Sequence, residues 1–283
     1  MTIKSIETIT IIGAGTMGHG IAQVAAQAGY QVFLYDLQQS YVDRGCAAIA
    51  ANLDAGIARG KVTGKQKADT LARIRGVTDL GEAVVPADLV IEAIPEDLAL
   101  KGALYKDLSR LAREACILAS NTSSLSIGRL AALTDRADRF IGMHFFNPVH
   151  IMKLLEIVVA DGTSEATLER CKAVGERLGK DCIVVRDFPG FATSRLGVCL
   201  GLEAIRMLEQ GVASAADIDK AMTLGYAHPM GPLRLTDLVG LDVRLAIADY
   251  LCEELRSEAF RAPELMRRMV AEGRLGKKSG KGF

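Results

Sequence analysis

Two polar side chains, His144 and Glu156, stand in otherwise apolar, strand-like surroundings within GMHFFNPVHIMKLLEIV, residues 142–158. Unpaired buried polar groups are costly, so the economical arrangement pairs them with each other. A carboxylate on one ring nitrogen fixes the tautomer and leaves the other nitrogen facing a substrate. It also stabilises the imidazolium that forms when the ring takes a proton. The chemistry on offer is general acid–base catalysis; the plain alternative is a histidine that merely fills the core at a strand end. A second polar run, ASNTSSLSI (119–127), follows another strand-like segment. In a doubly wound sheet the strand C-termini line the ligand crevice, so Asn121, Ser123 and Ser124 can offer amide and hydroxyl groups there. They suit equally well the capping of the helix that follows.

A third constellation is the turn Gly13-Ala14-Gly15-Thr16-Met17-Gly18, placed between the strand-like ITII and the helical HGIAQVAAQAG. Gly13 permits a tight turn, Gly15 lets the backbone approach a pyrophosphate, and Gly18 lets the helix pack on the strand. A diphosphate then sits at the helix N-terminus, over the backbone of Thr16 and Met17, where free N–H groups and the helix dipole favour an anion. A second strand, QVFLY, ends at Asp36, 18 residues beyond Gly18. A carboxylate there accepts hydrogen bonds from ribose hydroxyls and repels a 2′-phosphate, which selects NAD over NADP. A ligand-free strand–helix turn and an FAD site share the same fingerprint.

These residues need a scaffold, and the chain is long enough for one large domain or two modest ones: 283 residues, 49% of them hydrophobic. The 34 Lys+Arg balance 34 Asp+Glu, which argues against a general affinity for nucleic acid or anionic membranes. No apolar run approaches the roughly 20 residues of a membrane span. The N-terminus runs straight into a strand without a signal-peptide pattern, and the six cysteines are scattered without a CxxC pair; a cytoplasmic protein with reduced thiols is expected. The four histidines lack metal-ligand spacing, so no metal is expected.

Strand signals fall at 8–12, 31–35, 89–94, 117–119, 140–143 and 183–185, alternating with Ala-, Leu- and Arg-rich helical segments. This predicts a doubly wound, mostly parallel sheet of the Rossmann type, covered by helices on both faces. Residues 40–73 read as two helices joined by a turn near Gly60–Gly64, with Arg59, Lys61, Lys65 and Lys67 near its tip. The pattern changes at DFPGF, residues 187–191. Beyond it the composition is helical only, over 192–210, 213–223, 233–256 and 263–273, with GYAHPMGP (225–232) as a breaker-rich loop. The expected division is an α/β domain over 1–187 followed by an all-α domain over 188–283.

Taken together, GAGTMGHGIA, EAIPEDLALK (92–101), ASNTSSLSI, GMHFFNPVHIMKLLEIV, DFPGFATSRL, LGYAHPMGPLRLTDLVGLD and LGKKSGKGF resemble the L-3-hydroxyacyl-CoA dehydrogenases, especially the bacterial 3-hydroxybutyryl-CoA dehydrogenases. The likeness covers nearly the whole chain in the family's order. It implies an NAD-binding domain followed by a helical dimerisation domain, a homodimer, and an acyl-CoA substrate held between the domains and oxidised at its 3-hydroxyl. It assigns His144 as the catalytic histidine, Glu156 as its partner, Ser123 as a substrate contact, and Asn147 as a residue near the nicotinamide. It carries further cofactor contacts to Asp36, Glu96, Lys101 and Lys278. The CoA diphosphate is expected along the helical excursion after the second strand, where Arg59 and Lys61 suit it by charge; a solvated basic tip explains them as well.

Two departures stand out. The family usually has Asn in GFxxNR, where its amide contacts the substrate region, whereas this chain reads GFATSR and places Ser194 there. A serine offers one donor rather than two on a shorter arm. Family members also typically continue past GxGF, so the resemblance implies a few residues beyond Phe283. A non-CoA hydroxy acid or 3-hydroxyadipyl-CoA as substrate stays open, as does a dinucleotide-binding protein without catalysis, because fold alone does not choose among them.

Overall fold

The computed structural model describes residues 5–283, and the chain divides into two compact units that meet in sequence at Asp187–Phe188. The first unit runs β1 (Thr8–Ile12), α1 (Thr16–Gln27), β2 (Gln31–Tyr35), α2 (Gln39–Ala58), α3 (Gly64–Leu71), β3 (Ile74–Val77), α4 (Leu80–Val84), β4 (Leu89–Glu92), α5 (Leu98–Leu111), β5 (Ile117–Ser120), α6 (Ile127–Ala131), β6 (Phe140–Phe145), β7 (Leu154–Val159), α7 (Glu165–Arg177) and β8 (Asp181–Arg186). The strands form one eight-stranded sheet in the order β3-β2-β1-β4-β5-β6-β7-β8. Every neighbouring pair is parallel except β6–β7.

The apolar composition of the central strands follows from that layout. Helices cover both faces, so successive side chains are buried whichever way they point. Ile9, Ile11 and Ile12 on β1 and Leu89, Val90 and Ile91 on β4 are all at most 1% exposed. Each such side chain contributes about 1.5–3 kcal/mol of transfer free energy. Several helices begin on side chains that accept from the first turn: Thr63, Asp79, Asp97, Ser126 and Ser164 cap α3 to α7. Helix α1 begins instead at Gly15, with no side-chain cap.

Two short elements, β3 and α4, add to those expected from the sequence. The sequence predicts a continuous helix over 233–256, and the structure breaks it. The second unit holds α8 (Thr193–Glu209), α9 (Ala215–Gly225), α10 (Pro232–Val239), α11 (Leu241–Leu255) and α12 (Glu264–Ala271). Gly240, at φ +107°, separates α10 from α11 with a backbone conformation that costs a side-chain-bearing residue steric strain. Val198, Leu202, Ile205, Leu233, Ala248, Leu251 and Met266 build this unit's own core. Among the described residues no helix is long and apolar enough to cross a membrane.

Candidate active site

The strand order places β1 between β2 and β4, which leave it in opposite directions across the sheet. That reversal opens a crevice at the strands' C-terminal ends, where open α/β sheets bind ligands. The glycine turn leaves β1 at this edge. Gly13 takes φ +100°, and its N–H donates to the Tyr35 carbonyl at 2.8 Å, tying the turn to the end of β2. At Gly18 a Cβ would lie 1.7 Å from the Gly13 carbonyl oxygen, so only glycine fits this close approach. At Gly15 a Cβ would project into open space, with no atom within 4 Å.

A cavity of about 890 Å³ opens here, bordered by Gly13, Gly15, Met17, Asp36, Tyr41 and Ile94 among others. Asp36 is fixed at its rim: one carboxylate oxygen accepts from Ala14 N–H at 2.8 Å and the other from Leu37 N–H at 2.7 Å. The residues therefore fit a dinucleotide. The α1 N-terminus is uncapped over open space, and an oriented carboxylate stands where adenosine ribose hydroxyls would lie.

The polar residues of the later strands continue along the same edge. Glu92 ends β4, fully buried, and it organises a network the sequence reading did not anticipate. One of its oxygens accepts from Lys101 Nζ at 2.5 Å and from Ile94 N–H at 2.8 Å; the other accepts from the Tyr105 hydroxyl at 3.0 Å and the Ser120 hydroxyl at 2.8 Å. Lys101 is 1% exposed and also lies 3.3 Å from Glu96. Its ammonium is held between the two carboxylates. The signal was available as a buried-strand Glu nine residues ahead of a Lys on the following helix.

Glu96 in turn holds the Ser123 turn. One of its oxygens accepts from the Thr122 hydroxyl, from the Ser123 and Ser124 N–H groups, each at 3.1 Å, and from the Ser124 hydroxyl at 2.9 Å. Burial works to raise its pKa, but Lys101 and these hydroxyl donors outweigh that and hold the carboxyl below its ordinary value. The helix-capping alternative for this run is settled at a different residue: Ser126 caps α6, while Asn121 Oδ1 accepts from Phe145 N–H at 2.9 Å and links the ends of β5 and β6.

His144 lies near the end of β6, and Glu156 is its direct partner across the antiparallel β6–β7 pair. Their side chains meet: His144 Nδ1 is 2.7 Å from Glu156 Oε2, with Glu156 fully buried and His144 7% exposed. An ionised carboxylate can only accept, so toward Glu156 the ring nitrogen Nδ1 is the donor. The ring also packs against Phe146, centroid to centroid 4.5 Å. Asn147 follows, exposed, just past the strand end. From β1 to β6 there are three interstrand steps, about 14 Å of sheet edge. Glycine turn, Ser123 and His144 thus share one rim.

Residues 8–188 match the family described as 3-hydroxyacyl-CoA dehydrogenase, NAD binding domain, and residues 190–283 match its C-terminal domain. The chain belongs to the 3-hydroxyacyl-CoA dehydrogenase family. Its first unit is accordingly an NAD-binding domain. A probable 3-hydroxybutyryl-CoA dehydrogenase of Deinococcus radiodurans is 44% identical over 273 residues, covering 96% of this chain and 98% of its own. The mitochondrial hydroxyacyl-coenzyme A dehydrogenase of Sus scrofa is 44% identical over 285 residues, covering 98% and 90%. The solved structure of (S)-3-hydroxybutyryl-CoA dehydrogenase from Ralstonia eutropha superposes with a TM-score of 0.96 at 45% identity, covering 98% of each chain.

The remaining sequence-predicted residues lie at the α2–α3 turn or in the second unit. Arg59 and Lys61 are exposed at the α2–α3 turn. Burial first, then the charges of His19, Lys180 and Arg59, lower the pKa of His150. Ser194 occupies the first turn of α8. Lys278 pairs with Asp242 at 2.6 Å within the second unit.

Proposed function

We propose that the chain catalyses the reversible NAD-dependent oxidation of (S)-3-hydroxyacyl-CoA to 3-ketoacyl-CoA, the 3-hydroxybutyryl thioester named for its relatives being the reference substrate. The observation that carries this reading is the buried His144–Glu156 pair on the rim that also carries the glycine turn.

The chemistry divides between cofactor and chain. Bound at the glycine turn, NAD supplies the acceptor for the hydride that leaves C3. The chain's residues handle the proton and the alignment. The substrate's 3-hydroxyl donates its proton to His144 Nε2 as the C3–H bond breaks and C3=O forms. Glu156 stabilises the resulting imidazolium through Nδ1–H. Ser123, its backbone held by Glu96, is placed to donate to the substrate oxygen; Asn147, just past β6, serves the nicotinamide end. In reduction the imidazolium returns the proton. Holding the reacting groups in register is a large part of the rate enhancement in such enzymes.

Arg59 and Lys61, exposed at the α2–α3 turn, suit the phosphates of CoA by charge. The strongly exposed Leu196, Leu224 and Tyr226 of the second unit favour a homodimer formed through it. The scattered, unpaired cysteines fit cytoplasmic work. Following NADH consumption with acetoacetyl-CoA and with free acetoacetate tests the reading. Turnover of the thioester and neglect of the free acid are expected. NADH binding without turnover of any 3-ketoacyl-CoA would overturn it in favour of a non-catalytic dinucleotide-binding protein.

A further inference from the structure

Tyr41 and Arg44 stand one turn apart on α2, on one face of the helix, and both border the cavity at the glycine turn. The guanidinium carbon of Arg44 lies over the Tyr41 ring, 4.8 Å from its centre. Such stacking holds a guanidinium in place without using its N–H donors, which lie in the plane of the group. Among the described residues the Arg44 guanidinium has no hydrogen-bond or ion-pair partner. The carboxylates at hand are engaged elsewhere. Asp43, its neighbour in sequence, accepts from the Gln39 amide at 2.8 Å, and Asp107, which also borders the cavity, accepts from Arg110 at 2.9 Å. Arg44 is therefore an exposed cation on the cavity wall with its donors free.

Two contacts bring this cation to the acid at the end of β2. Gly45, next to Arg44, packs so closely on the glycine turn that a Cβ there would stand 2.9 Å from the Ala14 carbonyl oxygen and 3.1 Å from the Ala14 Cβ. The Ala14 N–H donates in turn to Asp36 Oδ2 at 2.8 Å. Helix α2 is thus seated on the residue that anchors the Asp36 carboxylate, and Asp36 and Arg44 share one stretch of wall. They do not neutralise each other: both carboxylate oxygens of Asp36 accept backbone N–H groups, and no ion pair joins them to Arg44. Helix α2 also begins just past Asp36 with no side-chain cap and no acid in its first turn, so its free N–H groups add positive potential beside the same acid.

We propose that Arg44 is a ready-made subsite for the 2′-phosphate of a phosphorylated dinucleotide, and that Asp36 alone keeps the cavity selective for NAD. The proposal rests on the reading of this cavity as the dinucleotide site. A carboxylate at the end of the second strand accepts hydrogen bonds from the ribose hydroxyls and repels a phosphate placed on one of them. Such a phosphate brings about −1.5 to −2 charge at neutral pH and three acceptor oxygens. A guanidinium matches two of those oxygens with parallel hydrogen bonds. The wall therefore holds both halves of a cofactor discriminator, an acid that rejects the phosphate and a free cation able to bind it. An arginine already paired with a carboxylate would lack that capacity.

The test is fluorescence titration of the full-length protein with NADH and with NADPH, for the wild type, Asp36→Ser, and Asp36→Ser combined with Arg44→Met. The readout is the NADPH dissociation constant divided by that for NADH, which cancels any contact Arg44 or Tyr41 makes with the adenosine common to both. Asp36→Ser should lower this ratio by about 10- to 100-fold, and adding Arg44→Met should raise it again by about tenfold or more. The share owed to Arg44 should shrink in 1 M salt, as a solvent-exposed charge pair requires. Asp36→Asn, which keeps the size of the side chain and loses its charge, replaces Asp36→Ser if that variant does not fold. An Asp36 variant that binds NADPH no better than the wild type overturns the proposal, as does a ratio that Arg44→Met leaves unmoved. Either result, with NADH still bound by the wild type, leaves the dinucleotide reading of the cavity standing. A wild type that binds neither dinucleotide removes that reading, and the proposal with it.

Discussion

His144 and Glu156 face each other directly across the antiparallel pair β6–β7, with Nδ1 and Oε2 2.7 Å apart and the carboxylate fully buried. Opposed residues in such a pair have Cβ atoms about 4.5–5.5 Å apart, so the ladder itself brings the two side chains into contact. A one-residue slip would turn one of them to the other face of the sheet. The geometry of the pair is therefore a consequence of strand register, set by the apolar residues that bury both faces.

Glu156→Gln keeps the shape of the pair and removes its charge. The imidazolium loses its stabilisation, and an amide can donate as well as accept, so the tautomer is no longer fixed. We expect kcat to fall by about 10- to 10³-fold, a share of what acid–base catalysis supplies, and the pH–rate profile to move. An unaltered rate and profile would separate Glu156 from the chemistry.

Lys101→Met leaves the Glu92 carboxylate buried without its counter-charge, although the Tyr105 and Ser120 hydroxyls and the Ile94 N–H remain. Breaking a buried pair from one side costs about 3–5 kcal/mol, so denaturant unfolding should show a loss of that order. Adding Glu92→Gln should restore part of it. A single variant as stable as the wild type would contradict the network's role in holding this edge of the sheet.

Gly18→Ala places a methyl group 1.7 Å from the Gly13 carbonyl oxygen, a backbone atom that cannot swing aside as a flexible side chain would. The turn must open, and the α1 N-terminus must leave its position over the crevice. NADH affinity, read by fluorescence titration, should drop by more than about tenfold, and stability should fall by about 1–3 kcal/mol, as in an overpacked core. Gly15→Ala meets no atom of the protein, so any loss of NADH binding there would reflect the ligand's approach alone. Normal NADH binding in Gly18→Ala would be inconsistent with this turn as the diphosphate site.

Glu96 makes a pH-dependent contribution to stability. Its folded-state pKa lies below the ordinary 4.5, so it contributes stability that is fully present above 4.5 and lost as pH falls through the lower folded value. At neutral pH Glu96→Gln should therefore melt below the wild type. The gap should close in the acid range below 4.5, where the wild-type carboxyl becomes protonated and resembles the amide. A gap independent of pH would mean that the carboxylate's charge is not what anchors the Thr122–Ser124 turn.

The sequence carried much of this, for identifiable reasons. Glycine spacing, the acid at the end of β2, and the polar pair in two apolar runs are each local patterns with one economical placement. The sheet class followed from alternating strand and helix signals. The break at Gly240 was hidden because both flanking segments have helical periodicity, and a positive φ leaves no compositional trace beyond one glycine. The strand β3 is only four residues long, with Arg75 and Gly76 at its centre, so it carries little apolar signal. The Glu92–Lys101 pair depends on which helix packs where. It nevertheless left a mark in the sequence, a charged residue on an otherwise apolar strand.

The most direct test of the account is turnover by His144→Gln at saturating NADH and acetoacetyl-CoA, paired with the NADH dissociation constant of the same preparation. The account predicts a kcat lower by about 10²- to 10⁴-fold with NADH binding close to wild type, because the imidazole moves the proton and takes no part in holding the dinucleotide. Near-normal turnover in a correctly folded His144→Gln protein would contradict it.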